Sequence, residues 1–152
     1  MLPVGLCFSL NYFASELLRS LGFTVFLVYG QTDLQKENVH SIVIVQGLIR
    51  PGDTFLVDVG LGYATLRAIC LDFDKESPLY HDSFQPYKYV RIEDTDAGGS
   101  CYRKFARLHN RIRNNDPRFF PVVIDGWAHV YHFNLEPQSV KRLRDLFATG
   151  VS

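Results

Sequence analysis

Ser41-Ile42-Val43-Ile44-Val45 is a continuous apolar run of the kind found in strands buried on both faces. Turn chemistry follows in Arg50-Pro51-Gly52-Asp53. Thr54-Phe55-Leu56-Val57-Asp58-Val59 is the next strand-like run, so a hairpin is expected between the two. Upstream, Thr24-Val25-Phe26-Leu27-Val28-Tyr29 is β-branched and aromatic, which also favours a strand. Further strands are expected over 87–92, 102–108 and 128–135, with a loop over 71–83, an Asp/Gly-rich turn over 93–100 and a polar segment over 109–117. Residues 139–147 carry a helical pattern, with Ser139 as its cap and Gly150 beyond its end.

A helix is expected ahead of these strands. Over 7–21 the apolar residues Leu10, Phe13, Ala14, Leu17, Leu18 and Leu21 recur at helical spacing, and Gly22 can end the helix in the left-handed conformation. Phe8 and Tyr12 point to the other side, either as a second buried face or as an apolar face left uncovered. The expected class is α+β: a helix packed beside a curled, mainly antiparallel sheet, with a C-terminal helix.

Composition narrows the function. The 152 residues suit one domain, and 47% hydrophobic against 21% charged is globular composition. Sixteen basic and sixteen acidic residues cancel, which removes the global electrostatic case for nucleic-acid or polybasic membrane binding. No apolar run approaches the roughly 20 residues of a membrane helix. The apolar start lacks a basic n-region and contains Pro3 and Gly5, unlike a secretory signal. Cys7, Cys70 and Cys101 cannot all pair within one chain, so free thiols and a cytoplasmic location are expected.

Cys7, His40 and Asp58 carry the chemistry. Cys7 stands where the chain enters the first helix, and a helix N-terminus offers positive partial charge and unbonded N–H groups. Both favour thiolate over thiol and could stabilise an oxyanion beside the sulfur. His40 opens one strand and Asp58 lies near the end of its hairpin partner. Asp58 could therefore orient one imidazole nitrogen while the other faces the thiol. Singly, each residue has an ordinary structural explanation; the constellation is that of a nucleophilic thiolate.

The wording around these residues adds a resemblance. Gly5-x-Cys7-Phe8-x-x-Asn11, then Leu21-Gly22-Phe23, Val39-His40 and Leu56-Val57-Asp58-Val59-Gly60-x-Gly62 resemble the arylamine N-acetyltransferase family. Tyr131-His132-Phe133-Asn134-Leu135-Glu136-Pro137-Gln138 is similar to that family's joint between strand and helix in its C-terminal lid region. The resemblance implies a cysteine-protease-like core with a β-barrel and part of a lid. It also implies a single partial domain over 1–152, divided into a nucleophile helix (1–22), a β-barrel region (23–110) and a partial lid (111–152).

For function, the resemblance implies a ping-pong acyltransferase. Cys7 is the nucleophile, His40 its base and Asp58 the orienter, with acetyl-CoA as acyl donor, an arylamine or hydrazine as acceptor, and no metal. Phe8, Gly60, Leu61 and Gly62 are the implied substrate-binding positions, the glycines permitting close backbone approach. The sequence departs from the family pattern at Pro3, Val4, Ser9 and Leu61, and lacks the family's flanking regions. The chain thus reads as the middle of a larger enzyme. A second reading is an inactive truncated relative that binds a partner or self-associates through an uncovered Phe8–Tyr12 face. A papain-like thiol hydrolase shares the Cys-His-Asp logic but not the flanking motifs.

Other candidates are weaker. His129 and His132, three apart on a strand, are expected on opposite faces and so make no ligand pair. Arg111, Arg113 and Arg118 with Phe119 and Phe120 read as a solvated loop rather than a nucleic-acid platform.

Overall fold

The structure, a computed structural model, describes residues 6–32, 39–61, 65–94, 99–107 and 123–149. Helix α1 (Leu6–Ser20) precedes strands β1 (Thr24–Gln31), β2 (Val39–Gln46), β3 (Thr54–Val57) and β4 (Ile69–Cys70). Strands β5 (Tyr87–Asp94), β6 (Gly99–Arg107), β7 (Val123–Ile124) and β8 (Trp127–Gln138) follow, and helix α2 (Val140–Thr149) comes last. The sheet order is β4-β3-β2-β1-β8-β6-β5, with β7 against β8, and every pairing of named strands is antiparallel.

The two-faced run in β2 explains the layering. Ile42 and Ile44 enter one core with Val28, Leu56, Tyr89 and Tyr131. Val43 and Val45 enter a second core with Val25, Leu27 and Leu143, against which Phe8, Tyr12 and Leu18 of α1 pack. The first core joins Ile69 of β4 to Tyr87 and Tyr89 of β5, which stand at opposite ends of the strand order. Only a curled sheet brings its ends together in this way. The expected α+β class holds.

Local signals act as anticipated at several points. After α1 the Gly22 N–H donates to the Arg19 carbonyl and the Phe23 N–H to the Leu18 carbonyl, with Gly22 at φ 92°. That is a Schellman end, and it explains why the helix stops there. The β2–β3 connection closes on Asp53, whose carboxylate accepts from the N–H groups of Leu48, Ile49 and Arg50 at 2.8, 3.0 and 2.7 Å. Ser139 caps α2 by accepting from the Arg142 N–H at 3.1 Å.

Three expectations change. Phe8 and Tyr12 form a buried face, as one alternative had it, and the apolar stripe splits: Ala14 and Leu18 pack on the sheet with them, while Leu10, Phe13, Leu17 and Leu21 are exposed at 40, 68, 50 and 66%. Spacing identified two apolar faces and could not say which meets the sheet. Four residues of the turn expected over 93–100 belong to strands instead, Glu93 pairing with Ser100 and Asp94 with Gly99. The short strands β4 and β7 gave no sequence signal, being two residues each. The readings at Gly62, Gly150, 109–117 and the Arg111–Phe120 cluster lie outside the described residues, as do Met1 to Gly5.

Candidate active site

Cys7 is the second residue of α1, half-buried at the helix N-terminus. Two polar contacts pin this end to β2: the Ser41 hydroxyl donates to the Cys7 carbonyl at 3.2 Å, and the Asn11 amide donates to the Ser41 carbonyl at 2.6 Å. Asn11, one turn after Cys7, is fully buried and also holds the segment after β3. Its amide nitrogen donates to Asp58 Oδ1 at 3.0 Å and its oxygen accepts the Val59 N–H at 3.0 Å.

Gly60 completes this corner. A Cβ there would stand 2.7 Å from the Cys7 Cα, the Cys7 carbonyl oxygen and the Asn11 amide nitrogen. The glycine is needed because the loop backbone lies directly against the start of α1.

His40 projects from β2 into the curled sheet. Its Nε2 lies 2.9 Å from Asp58 Oδ2, with both side chains almost wholly buried. The Cys7 thiol hydrogen-bonds the same imidazole, to which Nδ1 is left by the Asp58 contact. Burial pulls the His40 pKa down, but the charge and hydrogen bond of Asp58, with those of Cys7, outweigh it and raise the value to about 9. Burial pushes Asp58 the other way. The charge and hydrogen bond of His40, the charge of Lys104 and the Asn11 hydrogen bond prevail and hold it well below the usual carboxylate range. His40 is thus held as an imidazolium between the Asp58 carboxylate and the Cys7 thiol.

Asp58 has further partners. The Gly60 N–H donates to Oδ1 at 3.2 Å, and the Tyr131 hydroxyl donates to Oδ2 at 3.1 Å. Tyr131 in turn meets the Tyr89 hydroxyl at 3.1 Å, and its ring leans on His40 at 5.1 Å between centroids.

The structure thus brings Cys7, His40 and Asp58 together, with Gly60 against them. Leu61 packs on the edge of the inner core. Phe8 stacks on Tyr12, ring centroids 5.8 Å apart, in the interface between α1 and the sheet. Sequence reasoning overlooked Ser41, Tyr89, Lys104 and Tyr131 as members of this neighbourhood. The available signal was an alternation, Tyr102-x-Lys104-x-Ala106, that turns a lysine inward with two apolar neighbours.

The reading of His129 and His132 is overturned. Lys104 pairs with Tyr131 but Phe105 with His129, so Val130 is an extra residue in β8. That bulge cancels one step of alternation, and the two rings stack on the same side at 5.5 Å. Among the described residues, no three His, Cys, Asp or Glu side chains are placed to hold a metal.

A cavity of about 720 Å³ opens beside the site, lined by Tyr29, Gln31, Arg91, Cys101, His132 and Phe133 among others, but not by the triad residues. It stands next to them across the sheet, since Gly30 pairs with Phe133 on one side and with His40 on the other. Its volume is in the range of small-molecule pockets. No described helix is long and apolar enough to cross a membrane.

The chain matches a family model described as N-acetyltransferase over residues 4–148. Its fold is similar to that of the arylamine N-acetyltransferase from Mycobacterium abscessus, at 20% identity and TM-score 0.69, over 96% of this chain and 47% of that one. The Salmonella typhimurium arylamine N-acetyltransferase matches at 20% identity and TM-score 0.57, over 95% of this chain and 43% of that one. A Bacillus cereus arylamine N-acetyltransferase, described as having a unique Cys-His-Glu catalytic triad, matches at 19% identity and TM-score 0.63, over 93% and 48%. The chain therefore spans about half the length of these solved structures. No curated protein matches it.

Proposed function

Because the chain belongs to the arylamine N-acetyltransferase family, we propose that it moves an acetyl group from acetyl-CoA to an arylamine or hydrazine nitrogen through a thioester on Cys7. The observation that carries this reading is the His40 imidazole shared between Cys7 and Asp58 at the start of α1. The Cys7 thiolate attacks the acetyl carbonyl, and the α1 N-terminus supplies N–H groups and positive partial charge where negative charge develops on the oxygen. Collapse expels the donor's sulfur, to which His40 gives its proton. In the second half, the amine nitrogen attacks acetyl-Cys7 and His40 takes the proton it sheds. The amide leaves, and the thiolate–imidazolium pair is restored.

Asp58 keeps its negative charge throughout and fixes the ring so that Nδ1 faces sulfur. Gly60 and Leu61, with Gly62 and Phe8, are the proposed substrate-contacting positions. A reactive thiol of this kind works in a reducing compartment, which supports a cytoplasmic location. Intact mass spectrometry after incubation with acetyl-CoA tests the reading. One added acetyl group, mapped to Cys7 and absent from Cys7→Ser, is expected; an unmodified wild-type chain defeats it.

A second reading has one observation in its favour. The exposed row Leu10, Phe13 and Leu17 along α1, with Leu21 just past its end, suits an inactive relative that self-associates or binds a partner. Sedimentation as a monomer at all concentrations, together with acetylation of Cys7, excludes it.

A further inference from the structure

Lys104 lies in the interior, and none of the acetyl-transfer steps uses it. It occupies an inward position of β6 and is 1% exposed. Its Nζ donates to Thr65 Oγ1 at 2.9 Å and stands over the rings of Tyr87, Tyr89 and Tyr131, at 5.0, 5.9 and 5.5 Å from their centroids. Stripping an ammonium of water is expensive, and one hydroxyl with three π-faces offsets only part of that cost. The remaining compensation is opposite charge.

The cage leads to that charge. Tyr89 and Tyr131 join hydroxyl to hydroxyl, and Tyr131 donates to the buried carboxylate of Asp58. The groups facing Lys104 are Tyr87 and Tyr89 from β5, Tyr131 from β8, Asp58 after β3 and Asp82 before β5. With Cys7 as thiolate and His40 as imidazolium, Asp58 and Lys104 complete a neutral set of two negative and two positive groups. Without Lys104 the buried set carries one negative charge too many.

We propose that Lys104 is a positioning residue for the Cys7–His40 pair. From behind the tyrosine cage its ammonium holds Asp58 as a carboxylate and sets the pH range over which thiolate and imidazolium coexist. This deepens the acetyl-transfer reading and rests on it for the roles of Cys7 and His40. Two effects act in the same direction. An ammonium over a phenol ring draws electron density and makes its O–H a stronger donor, so Asp58, better satisfied by Tyr131, pulls less on the His40 proton. The positive charge also favours thiolate and disfavours imidazolium directly. Burial lowers the Lys104 pKa to about 8, against the pull of Asp58 and Asp82, so the ammonium is present at neutral pH.

Removing the charge should therefore move both the formation and the loss of the ion pair to higher pH, whereas a packing defect would lower stability and move neither. The measurement is the rate of Cys7 alkylation by iodoacetamide as a function of pH, resolved from Cys70 and Cys101 by peptide mass mapping. Lys104→Met, which keeps chain length, is expected to shift both inflections upward by about half a pH unit or more, and Lys104→Arg to bring them back towards wild type. A folded Lys104→Met with unmoved inflections, or identical shifts in the Met and Arg variants, overturns the proposal. Should Lys104→Met not fold, the wild-type protein decides by NMR. The His40 ring signals should show a second inflection where the Lys104 Cε signal titrates, and a single inflection overturns the proposal. A wild-type Cys7 that alkylates like an ordinary thiol at every pH overturns the acetyl-transfer reading and this one with it. A reactive Cys7 indifferent to Lys104 overturns this one alone.

Discussion

The Tyr131 hydroxyl donates to Asp58 Oδ2 at 3.1 Å, the same oxygen that His40 Nε2 approaches at 2.9 Å. One carboxylate oxygen thus ties the centre of the sheet, where β8 runs between β1 and β6, to the loop that follows β3. Tyr131→Phe keeps the ring and removes the hydroxyl, and with it this donor and the partner of the Tyr89 hydroxyl. Asp58 stays buried with one hydrogen bond fewer, and a bond to a charged group contributes about 1.5–3 kcal/mol. Chemical denaturation of the variant is expected to show a loss of that order. Asp58, less satisfied, should draw the His40 proton more strongly, so the His40 ring should titrate at higher pH than in wild type by NMR.

Asn11 is a sterner case, because its side chain uses both ends. The amide holds the Ser41 carbonyl and Asp58 Oδ1, and the oxygen holds the Val59 N–H. Asn11→Asp keeps the shape but replaces the donor by an anionic oxygen facing a carbonyl and a carboxylate. Two buried like charges at this range cannot both be sustained. The variant is expected to be less stable than Asn11→Ala at neutral pH and to recover relative to it as the pH falls. Thermal melts of the two variants across pH check the crossover; parallel curves would refute it.

The pair His40–Asp58 also sets a pH window for the fold. His40 is raised from 6.5 to about 9, so its contribution is complete below 6.5, the unfolded value, and disappears as the pH rises through about 9. Asp58 is depressed below 3.8, so its contribution is present above that value and disappears as the pH falls. Stability from this pair should therefore be greatest between these unfolded values, in mildly acid solution, and decline on the alkaline side. Urea midpoints measured across pH test this. His40→Gln, which cannot ionise, should abolish most of the alkaline decline.

How far the sequence led can be judged from particular residues. Ile42 to Val45 announced a two-faced strand because burial on both sides leaves no room for alternation. Cys7, His40 and Asp58 stood out because their flanking motifs were distinctive. The inward face of α1 was not decidable from spacing, since Phe8–Tyr12 and Leu10–Phe13–Leu17 are both apolar and only the sheet chooses between them. The faces of His129 and His132 depended on a bulge at Val130, which arises from pairing with β6 and leaves no local trace. Tyr89, Lys104 and Tyr131 come from strands distant in sequence and meet Asp58 only because the sheet curls. Alternation can turn a side chain inward, but it cannot say what waits there.

Gly60 offers the most direct test of the reactivity proposed for Cys7, because it probes the geometry at the start of α1 rather than the mere presence of the three side chains. The missing Cβ would fall 2.7 Å from the Cys7 Cα and carbonyl oxygen, closer than real side chains approach. Those atoms are backbone and cannot swing aside, so Gly60→Ala must push the loop and the helix start apart. Ser41 ties the Cys7 carbonyl to β2 and Asn11 ties α1 to Asp58 and Val59, so the displacement falls on the hydrogen bonds around Cys7 and Asp58. A displacement of this kind, as small as about 1 Å, is enough to cost a reacting pair roughly 100-fold. Gly60→Ala is expected to slow Cys7 alkylation at neutral pH by about that factor while leaving the β-sheet circular dichroism intact. Wild-type alkylation kinetics in Gly60→Ala would mean that the close contact between loop and helix has no bearing on the thiol.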